Sequence, residues 1–274
     1  MTLATRALIR KTVLSLACLA IGVTYLFPYI WMVLTGFRSA ADTLAIRFIF
    51  TPTLAGFGGV LGDSGFQGHV LNSIVVALTT TGTVLTVAVP AGYALAHLPI
   101  RGAAFLVAVL VARMVPGIAI LIPIYLAASR LGVLDTHGVL ILLYSTFNLP
   151  FAIWLLRGFF RDVPGEIREA AIIDGCSDRQ VLTMIMMPLT TSGIVATGVF
   201  VFIAAWNEFL FALVLTRTEV ATYTVQVTHY FGGQSGFWAK ISAMSVLGTL
   251  PIFVVVAFMQ RYLVRGISLG AVKG

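Results

Sequence analysis

Apolar residues along this chain come in long unbroken runs, with the polar positions gathered in the stretches between them. A bilayer core of about 30 Å needs about 20 apolar residues per helix. Six runs qualify: residues 12–36, 70–96, 103–127, 138–156, 190–216 and 241–260. They do not alternate polar with apolar, which argues against the strands of a membrane barrel. Arg6, Arg10 and Lys11 ahead of the first run would suit a signal peptide. That run exceeds the usual length of about 7–15 residues and contains Pro28 and Trp31, so it reads as a retained helix. Little apolar sequence precedes Cys18, which weakens a lipoprotein cleavage there.

Composition narrows the class. The chain has 274 residues, 59% hydrophobic and 10% charged, with a mean hydropathy of +1.02. Soluble domains are about 45–50% apolar and about 25% charged. A soluble enzyme, a disordered chain and a disulfide scaffold are excluded, the last because Cys18 and Cys176 make no framework. The formal charge of +7 rests on too few charges in total for nucleic-acid binding. Its use is topological. With the N-terminus inside, eleven Lys and Arg fall in inside segments and five outside, Arg113 lying within the third run. That bias places both termini in the cytoplasm, in keeping with an even number of spans. The pattern therefore predicts an all-α integral membrane protein with six transmembrane helices.

Three connections are long. Residues 37–69 and 217–240 lie outside, and 157–189 lies inside. In the inside loop, Pro164 suits a first helical turn, and Glu166 and Glu169 follow where the helix dipole favours negative charge. Ile167, Ala170 and Ala171 share one face by their spacing, and Gly175 suits a left-handed helix end. Ser177 and Gln180 have the spacing of a capping box opening a second helix. Val181, Met184 and Ile185 give that helix an apolar stripe, and Pro188 closes it. These residues predict two short helices joined by a tight turn at the membrane face. Their apolar faces suit either the protein's own helix ends or a groove on a partner.

The same loop carries a specific spacing: Glu169-Ala170-Ala171, three residues, Gly175, nine residues, Ile185, one residue, Met187-Pro188. It resembles the EAA loop of bacterial ABC-importer permeases, with Met187 where that family has leucine. Asp174-Gly175-Cys176-Ser177 is similar to the sugar-uptake branch. Asn72-Ser73, Met114-Val115-Pro116, Pro123-Ile124-Tyr125, the stretch Leu131 to Thr136 and Trp206-Asn207-Glu208-Phe209 resemble the family's core. Gly270 to Gly274 resembles the tail of the smaller permease subunit of maltose-like systems.

The resemblance implies a type I ABC-importer permease fold. Residues 1–69 would hold the N-terminal tail, first helix and first outer loop. Residues 70–262 would form a five-helix core that includes the EAA loop, and 263–274 a cytoplasmic tail. It implies a bacterial cytoplasmic-membrane protein that forms half of a pore for a sugar or sugar derivative. The partners would be a second permease subunit, an ATPase dimer, an extracytoplasmic sugar-binding protein and membrane lipid, with no nucleic acid. Glu169, Ala170, Ala171, Asp174, Gly175, Ile185 and Pro188 would couple to the ATPase, and Gly270, Lys273 and Gly274 would touch it from the tail. Cofactors would be absent from this chain, with ATP and Mg in the partner. In line with that, the chain has no G-x-x-x-x-G-K-[ST] loop.

Arg113 and Glu208 are charges inside spans, where an isolated charge costs about 2.5–3.5 kcal/mol, so they should face protein or water. With Tyr144, Asn148 and Asn207 they are candidates for the pathway or gate; the alternative is a structural pairing. In the outer loop, Tyr230, Phe231, Gln234 and Trp238 are candidate contacts for the binding protein. Rival functions are a secondary transporter working alone, an intramembrane enzyme, a structural subunit or a permease for a non-sugar solute such as a glycerol phosphate derivative. Against the first, the halves show no internal repeat. Against the second, His69, His97, His137 and His229 are scattered without ligand spacing.

Overall fold

The computed structural model describes residues 3–39, 41–44, 49–98, 102–112, 116–228 and 237–270. Every regular element among them is helical. The order is α1 (Leu3–Gly36), a 3-10 turn (Asp42–Leu44), α2 (Ala55–Leu61), α3 (Ser64–His97), α4 (Ala103–Ala112), α5 (Gly117–Arg130) and α6 (His137–Arg161). Next come α7 (Gly165–Ile173), α8 (Asp178–Gln180), a π-helical segment (Val181–Met186), α9 (Met187–Leu189) and α10 (Thr191–Trp206). The chain ends in α11 (Leu210–Leu215), α12 (Tyr223–Thr228) and α13 (Phe237–Gly270).

Among the described residues, four helical stretches are long and apolar enough to cross a membrane: Arg10–Gly36, Ser64–His97, His137–Arg161 and Trp238–Gln260. They answer to the first, second, fourth and sixth runs. The third run is divided instead into α4 and α5, with residues 113–115, and so Arg113, outside the described residues. Pro116 stands before α5 with extended backbone, φ −57° and ψ 129°, so α5 starts afresh there. The fifth run is also divided. α10 stops at Trp206 and α11 begins at Leu210. The sixth helix continues to Gly270, into the stretch 263–274 read as a cytoplasmic tail.

The chain forms two compact units, residues 1–66 with 227–249, and residues 67–226 with 250–274. In the first unit, α2 lies so close to α1 that a methyl on Gly56 would come within 2.7 Å of the Gly36 carbonyl oxygen. The Tyr29 hydroxyl meets Thr249 at 3.1 Å. The buried Arg38 stacks its guanidinium over Trp31 and Phe50. Most of α1 presents apolar side chains outward, among them Leu16, Leu19 and Tyr25.

In the second unit, α6 packs against both α3 and α10, and glycines set the spacing. A methyl on Gly92 of α3 would stand 3.0 Å from Leu156 Cβ, and one on Gly193 of α10 would overlap the Phe159 ring. Small residues let helix backbones approach closely where burial against lipid offers no net drive to association. One apolar cluster then joins Val84, Ala88 and Tyr93 of α3, Ala152, Leu156 and Phe160 of α6, and Val201 of α10. It continues into Ala171, Val181 and Met186 of the 157–189 loop.

Because the ring of Phe159 fills the space above Gly193, Gly193→Val should force a shift costing about 1–3 kcal/mol. Thermal unfolding of the detergent-solubilised protein measures it, and an unchanged midpoint would contradict the packing.

Candidate functional site

The loop 157–189 folds as a helix pair seated on the end of the second unit where α3 and α6 finish. Gly165 starts α7 directly after Pro164, which has φ −55° and ψ 133°. Gly175 takes φ +88°, the left-handed conformation that ends α7 and that other L-residues adopt only with strain. Ser177 then caps α8 in a complete box. Its hydroxyl oxygen accepts from the Gln180 amide, and the Gln180 side chain accepts from the Ser177 amide at 2.9 Å. After α9 the chain bends by 80° at Thr190 and enters α10. The Thr190 hydroxyl donates to the Met186 carbonyl at 2.7 Å.

The faces of this pair differ from the expected ones. On α7 the inward residues are Ala171, which is buried, and Arg168, three positions earlier. Ile167 and Ala170 are exposed rather than packed beneath the helix. On the second helix, Val181 and Met186 are buried, Ile185 is half-buried and Met184 is 70% exposed. The cause is the π-helical segment, whose i→i+5 bonding puts positions 181 and 186 on one side. A regular α-helix would have put 181, 184 and 185 there.

Of the residues expected to couple to a partner, Glu169, Ala170, Asp174, Gly175 and Pro188 are exposed, Ala171 is buried and Ile185 packs against the core. Beside the exposed set stand Ile172 and Ile173, the latter 84% exposed. A methyl on Gly175 would meet nothing within 4 Å. Of the expected tail contacts, Gly270 is the last residue of α13, and Lys273 and Gly274 lie outside the described residues.

The inward side holds residues that no motif indicated. Arg168 Nε donates to the Tyr93 hydroxyl at 3.2 Å, and Nη2 donates to Asp178 at 3.0 Å. The Tyr93 hydroxyl donates to the same carboxylate oxygen at 3.5 Å. The bond to Tyr93, with the bond to Asp178, holds the Arg168 guanidinium above its ordinary pKa despite partial desolvation. The Tyr93 ring packs edge-on against Phe160 and beside His97. His97 Nε2 lies 3.1 Å from the Phe160 carbonyl oxygen.

A second polar group fills the break between α10 and α11. The Glu208 carboxylate accepts from the Tyr144 hydroxyl at 2.6 Å and from the amides of Phe211 and Ala212 at 3.0 and 3.2 Å. The Asn148 side chain, buried, donates to the Tyr144 carbonyl at 2.8 Å. Asn207 donates to Ile203 and is exposed. The structure thus brings Tyr144, Asn148 and Glu208 into one bonded group, with Asn207 at its edge. Of the candidate binding-protein contacts, Trp238 is half-exposed at the start of α13, and Tyr230, Phe231 and Gln234 lie outside the described residues.

At the opposite end of α3, Asp135 has φ +56°. Its carboxylate accepts from the amides of Arg217, Thr218, Glu219 and Val220 at 2.9–3.2 Å. Desolvation pushes its pKa up, but the four amide bonds outweigh that and hold it below the ordinary value. The Asn72 side chain donates to the carbonyls of Glu219 and Ala221, and its own oxygen meets His137 Nε2 at 3.0 Å. The Tyr223 amide donates to Ser73 at 2.9 Å. Asn72-Ser73 and the stretch Leu131 to Thr136 stand out in the sequence, but nothing in it indicates Asp135 as an acceptor for four amides.

Two outcomes follow. Glu208→Leu should destabilise the protein by about 1–3 kcal/mol, because it strands the Tyr144 hydroxyl and two amides; thermal unfolding beside a milder Tyr144→Phe checks this. Asp135→Asn should lower the unfolding midpoint at pH 7. A depressed carboxylate contributes fully above its ordinary pKa and is lost only as pH falls through the lowered value. The gap between Asp135→Asn and wild type should therefore persist down to about pH 4 and close below it.

Comparison with known proteins identifies this arrangement. Residues 88–269 match the family model described as "Binding-protein-dependent transport system inner membrane component". The chain is 49% identical to a probable ABC transporter permease protein, y4oR, of Sinorhizobium fredii, over 96% of each chain. It is 32% identical to the trehalose/maltose transport system permease protein MalG of Thermococcus litoralis, over 97% of this chain and 98% of that one. Its fold matches a chain in the crystal structure of a bacterial ABC transporter that imports the acidic polysaccharide alginate. The TM-score there is 0.77 at 23% identity, covering 96% of this chain and 98% of that one. The chain belongs to the inner-membrane components of binding-protein-dependent transport systems and is an ABC transporter permease subunit, not an enzyme.

Proposed function

We propose that this chain is one of two different permease subunits of an ATP-driven importer for a sugar or sugar derivative, and that an ATPase docks on the helix pair of 157–189. The observation that carries the docking is the outward surface of that pair. Ile172, Ile173 and Met184 are exposed there beside Glu169, Asp174 and an unobstructed Gly175. Exposed isoleucines on a short helix rimmed by carboxylates fit an apolar groove with a basic rim. The sugar assignment is supported by the name of the trehalose/maltose relative, which this chain matches almost end to end.

In this reading there are six spans: α1, α3, α4 with α5, α6, α10 with α11, and α13. Both termini and the loop 157–189 face the cytoplasm, as the eleven inside positive charges against five outside favour. ATP and Mg are held by the ATPase dimer. An extracytoplasmic binding protein delivers the sugar to the other face, where Trp238, Tyr230, Phe231 and Gln234 are its candidate contacts. Gly270, Lys273 and Gly274 are the candidate ATPase contacts from the tail. Closure of the ATPase on ATP displaces the docked helix pair and shifts the permease between inward-facing and outward-facing states. Differential binding to those two states supplies the bias.

Glu169→Lys reverses the outward charge. Gly175→Asn keeps a residue that tolerates the left-handed turn while adding a side chain to the docking face. Both should lower the ATPase that co-purifies with the permease by tenfold or more, with the permease still inserted at wild-type level. Wild-type recovery of the ATPase with both variants would overturn the docking.

A further inference from the structure

The helix pair has two working faces, and neighbouring residues of α7 define them. Glu169 points outward. Arg168, one position earlier and about 100° around the helix, points inward and bonds residues of the chain itself. Its guanidinium holds the Tyr93 hydroxyl at 3.2 Å through Nε and Asp178 at 3.0 Å through Nη2. Asp178 belongs to α8, across the Gly175 turn from α7. Arg168 therefore ties both members of the pair to each other and both to α3.

The tie is selective. Tyr93 lies four residues before the end of α3, its ring enclosed by Phe160 and His97, and is 3% exposed. Its hydroxyl bonds the end of α3 to both members of the helix pair, to Arg168 on α7 and Asp178 on α8. A planar guanidinium with two donors in fixed directions holds such a point more rigidly than a single flexible charge would. At the far end of the same helix, Asn72 and Ser73 grip the segment 219–223. Tyr93 and Asn72 are 21 residues apart, about 32 Å along an α-helix, roughly the thickness of a bilayer core.

We propose that Arg168, Tyr93 and Asp178 form the latch through which the helix pair moves α3, so that Arg168 and Tyr93 are positioning residues for the transport cycle. The proposal rests on the docking of an ATPase to the outward face of the pair. It adds that the displacement enters the membrane helices at the Tyr93 hydroxyl and reaches segment 219–223 through α3. The apolar cluster holds the pair in place, whereas the latch sets which helix follows it.

The test is hydrogen–deuterium exchange on the assembled permease–ATPase complex in lipid nanodiscs, with and without ATP plus orthovanadate. Two segments are read, 165–187 and 88–97. In the wild type both should change exchange on trapping. In Tyr93→Phe, which keeps the ring, and in Arg168→Gln, segment 165–187 should still respond. The response of 88–97 should fall at least fivefold. The double variant should lose no more than either single one, because both remove the same bond. Asp178→Asn, at a more exposed position, gives a third reading should either variant assemble poorly, and it too should weaken the response of 88–97. A wild-type response of 88–97 in the variants overturns the latch and leaves the docking standing. A wild-type complex in which 165–187 is silent overturns the docking, and the latch with it.

Discussion

The apolar cluster that runs from Val84 on α3 through Leu156 and Phe160 on α6 to Val181 and Met186 is the constraint on which the second unit depends. The 157–189 loop is polar enough to be a solvated connection, yet it is part of the same core as the membrane helices. Two features allow this. Glycines at 92 and 193 bring α3 and α10 against α6, so that the cluster closes around small contacts. The 80° bend at Thr190 then turns the second helix of the pair away from α10 and lays it against the helix ends. The pair is thereby seated on a packed, nearly incompressible surface that holds it against the helix ends.

The two bonded carboxylates of the second unit follow a complementary rule. In an apolar solvent a charge must find its partners within the protein or in water. Glu208 shows how this is done where a helix is broken: its carboxylate takes two amides of α11 and the Tyr144 hydroxyl. Asp135 does the same for four consecutive amides of 217–220. Both carboxylates replace backbone bonds that an uninterrupted helix would have made for itself. Acidic residues beside helix breaks are therefore explained by the breaks before any role toward a solute is invoked. Asn207, exposed next to Glu208, is the member of that group best placed to meet something other than its own chain.

What was legible in the sequence were the features governed by one local rule. Continuous apolar length located the helices at 12–36, 70–96, 138–156 and 241–260. Gly175, Ser177 and Gln180 carried the turn and cap that the structure shows. What was not legible depended on a choice among competing hydrogen-bond patterns. Nothing in the Val181–Met186 composition separates i→i+5 from i→i+4 bonding, yet that choice decides that Met184 faces out and Met186 faces in. The break after Trp206 is likewise fixed by Glu208 finding amide partners downstream, which an apolar run of 27 residues conceals. Tyr93, Arg168 and Asp178 come from three separate stretches, and only the fold brings them together.

The charges show why the two faces of the helix pair must be considered apart. The stretch 157–189 holds Arg157, Arg161, Arg168 and Arg179 against Asp162, Glu166, Glu169, Asp174 and Asp178, a near balance. Counted as a loop, it has no electrostatic character. Distributed over the structure, it does. Arg157 is turned to the Leu95 carbonyl at 3.1 Å, and Arg168 to Tyr93 and Asp178. Glu166, Glu169 and Asp174 stay exposed on the side of Ile172 and Ile173. Arg157 and Arg168 are thus drawn inward to carbonyl, hydroxyl and carboxylate acceptors at helix ends, Arg161 and Arg179 stay exposed, and three carboxylates rim the exposed isoleucines. A surface complementary to that rim has to present cations around a dry cleft. The same partition leaves Arg168 free to serve α3 while Glu169 serves whatever occupies the other side.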